Sequence, residues 1–123
     1  MEIEKRFRVD KKVEHIDTAA YHGSGLLEVF ATPAMIALME KSAHLLSRSM
    51  LPEDQDTVGV EVNIKHTRAT PLGAAVYAEA ELVEIDGKRM VFNISAFDEK
   101  GEIGKGVHIR YIINPSQFMS RIS

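Results

Sequence analysis

Thr32, Glu40 and His66 are the side chains of this sequence whose types and spacing could do chemistry. Glu40 sits in Val29-Phe30-Ala31-Thr32-Pro33-Ala34-Met35-Ile36-Ala37-Leu38-Met39-Glu40-Lys41, which reads as a capped apolar helix carrying one carboxylate. His66 lies in Thr57-Val58-Gly59-Val60-Glu61-Val62-Asn63-Ile64-Lys65-His66-Thr67-Arg68-Ala69-Thr70-Pro71, an alternating strand that ends with a histidine on its apolar face. A carboxylate and an imidazole at the edge of an apolar layer can move a proton, activate water or attack a carbonyl. The same two groups also describe an ordinary buried ion pair, and the residues alone leave both readings open.

Each residue has a structural reading beside the chemical one. Thr32 before Pro33 is a favoured N-cap, a role worth about 1 kcal/mol. The same helix end presents free N–H groups and a positive dipole that can hold an oxyanion. Glu40 lies roughly 40° past Ile36 on the helical wheel, at the rim of the apolar arc. It could equally be a surface glutamate pairing with His44 one turn on. Alternation puts His66 on the face of Val58, Val60, Val62 and Ile64, opposite the helix, where Glu40 could orient the ring; a hydrogen-bonded core histidine is the alternative. Gly59 leaves that strand face bare, for close approach of a ligand or for a bulge. His108 and Arg110, alternating with Val107 and Ile109, line a pocket or form a solvated face. Lys65, Arg68, Lys88, Arg89 and Lys105 are candidate phosphate partners, without a glycine-rich phosphate loop among them.

The elements that must position these groups follow from periodicity. Phe7, Val9, Lys11 and Val13 read as an edge strand, and His15 to Glu28 as a loop. Thr32-Pro33 opens a helix whose apolar positions Ile36, Met39, Ala43, Leu46 and Met50 are three or four apart; Leu51-Pro52 ends it. Four strands follow: Val58 to His66, Ala74 to Ile85, Met90 to Asp98, and Val107 to Ile113. Pro71-Leu72-Gly73, Asp86-Gly87 and Lys100-Gly101 turn between them, which predicts an antiparallel meander. One helix on one face of five strands is the hotdog arrangement, an α+β fold, with residues 1–123 as a single domain.

Spacing constrains the chemistry further. Thr32 and Glu40 are eight residues apart, which is about 12 Å along a helix. One carbonyl cannot touch both residues of one helix. A shared substrate therefore requires a symmetric homodimer, with Thr32 from one protomer and Glu40 from the other.

Composition excludes several classes. The 123 residues are 45% apolar and 27% charged with net charge −3, so no general attraction to nucleic acid or anionic membrane is expected. There is no cysteine, hence no disulfide or thiolate zinc site, and the five histidines lack HxH or HxxxH spacing for a metal. Met1 to Val9 is charged and shows no apolar secretion signal, and no apolar run reaches the ~20 residues of a membrane span. The expectation is a cytoplasmic protein.

In Val29-Phe30-Ala31-Thr32, Leu38-Met39-Glu40, Lys65-His66-Thr67 with Ala69-Thr70-Pro71, and Glu102-Ile103-Gly104 through Gly106, His108 and Arg110, the chain resembles the hotdog thioesterases. Within these it is most similar to the fluoroacetyl-CoA thioesterase branch, over nearly its whole length. The resemblance implies hydrolysis of an acyl-CoA thioester with Thr32, Glu40 and His66 as catalytic residues and Gly59 and Arg110 near the acyl group. Such hydrolysis requires no metal or redox cofactor, coenzyme A being part of the substrate, and the homodimer that the spacing requires leaves a higher oligomer open. The fluoroacetyl-specific member carries aromatic side chains over its acyl pocket from the loop before the helix. Here Tyr21 is the only aromatic of that loop before Phe30, so a small acyl thioester is the expected substrate. Hydration or dehydration of an acyl-CoA, non-catalytic acyl-CoA binding, and a purely structural Glu40–His66 pair are the competing readings.

Overall fold

The long helix governs the architecture. The computed structural model describes residues 5–123, and the expectation about a secretion signal falls partly on residues 1–4, outside that range. Helix α2 spans Thr32–Met50; α1, the single turn Ala19–His22, precedes it. The buried face of α2 is Ala34, Met35, Leu38, Met39, Ser42, Ala43, Leu46 and Ser47. Ser42 and Ser47 are tolerated there because each hydroxyl donates to the carbonyl three residues back, at 2.6 and 2.8 Å. The helix stops at an extended Leu51, as a following proline demands.

Five strands wrap this helix: β1 (Arg6–Lys12), β2 (Asp56–His66), β3 (Ala75–Asp86), β4 (Arg89–Asp98) and β5 (Gly101–Ile113). All pairings are antiparallel, in the order β1-β3-β4-β5-β2, and α2 lies against β1, β2, β3 and β4. This is the expected hotdog arrangement. Phe30, Met35, Met39, Leu46, Met90, Phe92, Ile94 and Ile103 fill the space between helix and sheet.

Three sequence expectations are corrected. The meander holds for β3-β4-β5, joined by tight turns at Gly87 and Gly101 with positive φ, but not for β2 and β3. Residues 67–74 do not close a hairpin. They pair with the segment before α2, through the Val29–Pro71 bridge and Leu72 N–H to Glu28 C=O at 3.1 Å, while β2 pairs with β5 at the far edge. The single apolar face of β2 is broken by a bulge between Gly59 and Glu61. Val62, Ile64 and His66 face inward opposite His108, Gly106 and Gly104, whereas Val58 pairs with exposed Tyr111 and Val60 is exposed. Finally, the loop before α2 contains a 3-10 turn (His15–Asp17) and α1, and the chain ends in an amphipathic helix α3 (Pro115–Ile122) capped by Asn114.

Candidate functional site

At the start of α2 the threonine does not cap. Extended Ala31 is the N-cap, held by its N–H to Asp17 C=O at 2.8 Å, and Thr32 is already helical. Its hydroxyl is therefore free to reach sideways, and it lies 2.8 Å from His66 Nδ1. The N-cap reading of Thr32 is replaced by this contact. Helix and strand come close here because β5 has Gly104 opposite His66. A Cβ at Gly104 would stand 2.7 Å from Met35 Cε and 2.9 Å from Lys65 C=O.

His66 is half-buried, and its Nε2 is the one buried side-chain N or O atom without a hydrogen-bond partner among the described residues. Burial sets its pKa below the ordinary imidazole value, against the Arg68 main chain. The chain just beyond is braced. Thr67 N–H donates to Ile103 C=O at 2.8 Å, and Arg68 and Thr70 bond Asp98 at 2.7 and 2.8 Å. Arg68, a candidate phosphate partner, is thus engaged in holding the strand end.

Two turns further along α2, Glu40 meets a different imidazole. Its side chain is 40% exposed and has no hydrogen bond among the described residues; its Oε2 lies 3.9 Å from His108 Nε2. The expected Glu40–His66 pairing is not what one chain contains: Thr32 is the partner of His66, and Glu40 faces His108. The alternative Glu40–His44 pair is absent too, because His44 Nε2 bonds Asp56 Oδ1 at 2.8 Å.

Gly59 belongs to this second cluster. A Cβ there would stand 2.9 Å from Glu40 Oε2, 3.0 Å from His108 Cε1 and 3.4 Å from Arg110 Nη1. The bulge falls immediately after Gly59, and what comes close to the residue itself is the side chains of Glu40 and His108.

The solvated-face reading of His108 and Arg110 is overturned. Opposite Phe92 and Met90, both side chains point inward and are buried. Arg110 Nε donates to Thr57 Oγ1 at 2.8 Å, Nη2 to Thr57 C=O at 2.9 Å, and Nη1 bonds His108 Nε2 at 3.1 Å. Thr57 Oγ1 is 2.9 Å from Ser47 Oγ, whose hydroxyl donates to His44 C=O. The donors therefore run one way, from Arg110 through Thr57 and Ser47 to the helix carbonyl. Burial is the main cause of a lowered His108 pKa; Arg110 adds to it, and the Glu61 carbonyl and Glu40 oppose it. Burial likewise lowers the Arg110 pKa, against Glu40 and Asp56. Ser47 and Thr57 escaped sequence reasoning, since a hydroxyl on a helix or strand gives no signal without the fold.

Among the described residues no group of His, Cys, Asp and Glu could hold a metal ion, and no helix is long and apolar enough to cross a membrane. The arrangement is two half-sites: a hydroxyl and imidazole at a helix N-terminus, and a carboxylate beside a buried guanidinium.

Known proteins place the fold and the chemistry in context. The fluoroacetyl-CoA-specific thioesterase family model matches residues 13–116. The fluoroacetyl-CoA thioesterase of Streptantibioticus cattleyicolor is 32% identical over 128 residues, covering 99% of this chain and 92% of that protein. A solved structure of a threonine-to-serine mutant of that kind of enzyme, in complex with acetyl-CoA, superposes with a TM-score of 0.91 at 30% identity, covering 99% of this chain and 96% of the other. A hot-dog-like protein from Thermanaerovibrio acidaminovorans gives 0.86 at 26% identity, covering 95% and 87%.

Proposed function

The chain belongs to the fluoroacetyl-CoA-specific thioesterase family and is a hotdog-fold acyl-CoA thioesterase; from that premise we propose how it works. It hydrolyses a small acyl-CoA thioester to the free acid and coenzyme A, as a single domain acting in a cytoplasmic homodimer. Thr32 and His66 of one protomer face Glu40 of the other across each site, with Gly59 and Arg110 beside the acyl group.

The observation that carries this reading is the buried Nε2 of His66, unpartnered while Nδ1 meets the Thr32 hydroxyl at the mouth of a helix N-terminus. When Thr32 donates to Nδ1, the ring proton sits on Nε2, which has no partner among the described residues. The helix N–H groups steady the oxyanion as the carbonyl carbon becomes tetrahedral. Glu40 supplies the electron pair. As nucleophile it displaces the thiolate to give an acyl anhydride, which water then cleaves. As general base it takes a proton from water, whose oxygen attacks. In both routes the C–S bond breaks, and His66 Nε2–H hydrogen-bonds the departing sulfur and keeps its proton. The thiolate takes up the proton that Glu40 removed from water in the general-base route, or one from solvent in the nucleophile route. No metal or redox cofactor enters either route; coenzyme A is part of the substrate.

A free-thiol assay over a series of acyl-CoA thioesters, run on wild type beside Glu40→Gln, tests this. Thiol release by wild type that is lost in Glu40→Gln supports the reading. Enoyl-CoA hydration without thiol release, or saturable binding without turnover, replaces it. A trapped acyl-enzyme, or heavy-oxygen label from water appearing in Glu40 after turnover, marks the acyl-enzyme route.

A further inference from the structure

His108 is the most deeply buried ionisable group near the site, and the reaction above gives it no task. Its two nitrogens are both engaged, with partners whose roles are chemically fixed. The Glu61 carbonyl, 2.8 Å from Nδ1, can only accept. The Arg110 guanidinium, 3.1 Å from Nε2, can only donate. The ring is therefore neutral, with its proton on Nδ1 and a lone pair on Nε2.

This tautomer has consequences on both sides. On one side, Arg110 makes its third bond, after the two to Thr57, and the planar fork is locked. Two of its five N–H groups remain. The Nη1 that carries one of them is 3.4 Å from where a Cβ at Gly59 would stand, in the space that Glu40 Oε2 also borders. On the other side, Glu40 lies 3.9 Å from a nitrogen that carries no proton, so the carboxylate receives no donor from its own chain's imidazole.

We propose that His108 is a positioning residue. Tied by Nδ1–H to the bulge carbonyl of Glu61, it accepts from Arg110, aims the remaining Nη1–H at the acyl space beside Gly59, and leaves Glu40 without a proton donor. The bulge is part of the device, because it presents the Glu61 carbonyl to the ring on β5. The task in catalysis rests on the thioesterase reading; the tautomer and the hold on Arg110 do not.

The test uses full-length protein. Nitrogen-15 NMR reads the His108 tautomer and the exchange of the Arg110 side-chain N–H groups. Kinetics with acetyl-CoA and inhibition by free coenzyme A are measured for wild type, His108→Asn and His108→Gln, each also with Arg110→Met, and with Tm recorded. His108→Asn keeps a donor near the Nδ1 position; His108→Gln puts an acceptor oxygen near the Nε2 position. The expected spectrum shows protonated Nδ1 and bare Nε2, with faster Arg110 exchange in His108→Asn and not in His108→Gln. In His108→Asn, kcat/KM falls about 10- to 100-fold, the worth of one hydrogen bond to a charged group. Inhibition by coenzyme A stays within about 2-fold, His108→Gln recovers most of the loss, and in the Arg110→Met background His108→Asn costs nothing further.

A proton on Nε2 overturns the inference whatever the activity. So does a loss in His108→Asn that persists in full without Arg110, or one that falls equally on Tm, coenzyme A inhibition and kcat/KM in both variants. Wild type that releases no thiol overturns the thioesterase reading instead, and the NMR arm still decides the tautomer.

Discussion

Two histidines lie within reach of α2, both with pKa values held down by burial, and they differ in how many nitrogens have partners. His66, at the helix mouth, meets Thr32 at one nitrogen and, among the described residues, nothing at the other. His108, beside Glu40, has both nitrogens bonded, one to a carbonyl and one to a guanidinium. If His66 is the reacting imidazole and His108 a supporting one, as proposed, burial by itself does not separate them. The unsatisfied atom does, because a buried polar atom without a partner costs free energy that a bound substrate can return. The carboxylate follows the same logic: Glu40 has no hydrogen bond among the described residues, while the guanidinium near it is firmly held.

The largest effect expected from breaking this contrast is at Glu40. Glu40→Gln keeps shape and removes the basic oxygen, and kcat should fall by about 10³-fold, within the range for loss of a positioned acid–base group. Thermal melting should show no loss of stability, since the carboxylate makes no hydrogen bond among the described residues. A sharp drop in Tm would mark Glu40 as half of a structural ion pair.

The imidazole at the helix mouth comes next. His66→Gln should lower kcat by about 10²-fold, with free coenzyme A inhibiting as before.

The pH dependence sharpens the comparison. Both rings stay neutral in the folded chain below the ordinary value of 6.5. The acid limb of kcat/KM therefore lies below pH 6.5. Below that pH the unfolded chain takes up protons that the folded one refuses, so stability falls as pH drops and rises again with pH. Urea titrations across this window check the sign; stability that increases on acidification would show a ring that is charged when folded.

The smallest effect is at Gly59. Gly59→Ala places a Cβ 2.9 Å from Glu40 Oε2, the movable end of a side chain, at a position without positive φ. The same Cβ would stand 3.0 Å from Cε1 of the buried His108 ring, which is held at both nitrogens, so the expected result is a kcat reduced about 10-fold together with a lowered Tm.

Much of this could be read from the residues, and the failures have physical causes. The 3–4 spacing of α2 and the alternation of β3, β4 and β5 declare themselves locally, as do the turns at Gly87 and Gly101. Thr32, Glu40 and His66 could be singled out because polar groups at the rim of apolar faces are uncommon. Which of them meet could not be read. The bulge after Gly59 shifts the register of β2 by one residue and moves Val58 to the other face. His108 and Arg110 looked solvated because alternation fixes which residues share a face, not whether that face points inward. Their burial depends on Thr57 and Ser47, partners far away in sequence. The place of β2 at the sheet edge was also invisible, since the connection to β3 is short yet crosses to another part of the sheet.

The central claim is that Thr32 and His66 of one protomer act with Glu40 of its partner. Mixing Glu40→Gln protein with His66→Gln protein, after subunit exchange, tests it most directly. In a mixed dimer one site combines an intact Thr32–His66 pair with an intact Glu40, and the other site carries both substitutions. If each site spans the two protomers, thiol release recovers to about one quarter of wild type at equal mixing, since half the dimers are mixed and each has one working site of two. Activity no greater than the sum of the separate variants, with exchange verified, would place all three residues of each site in a single chain and contradict it.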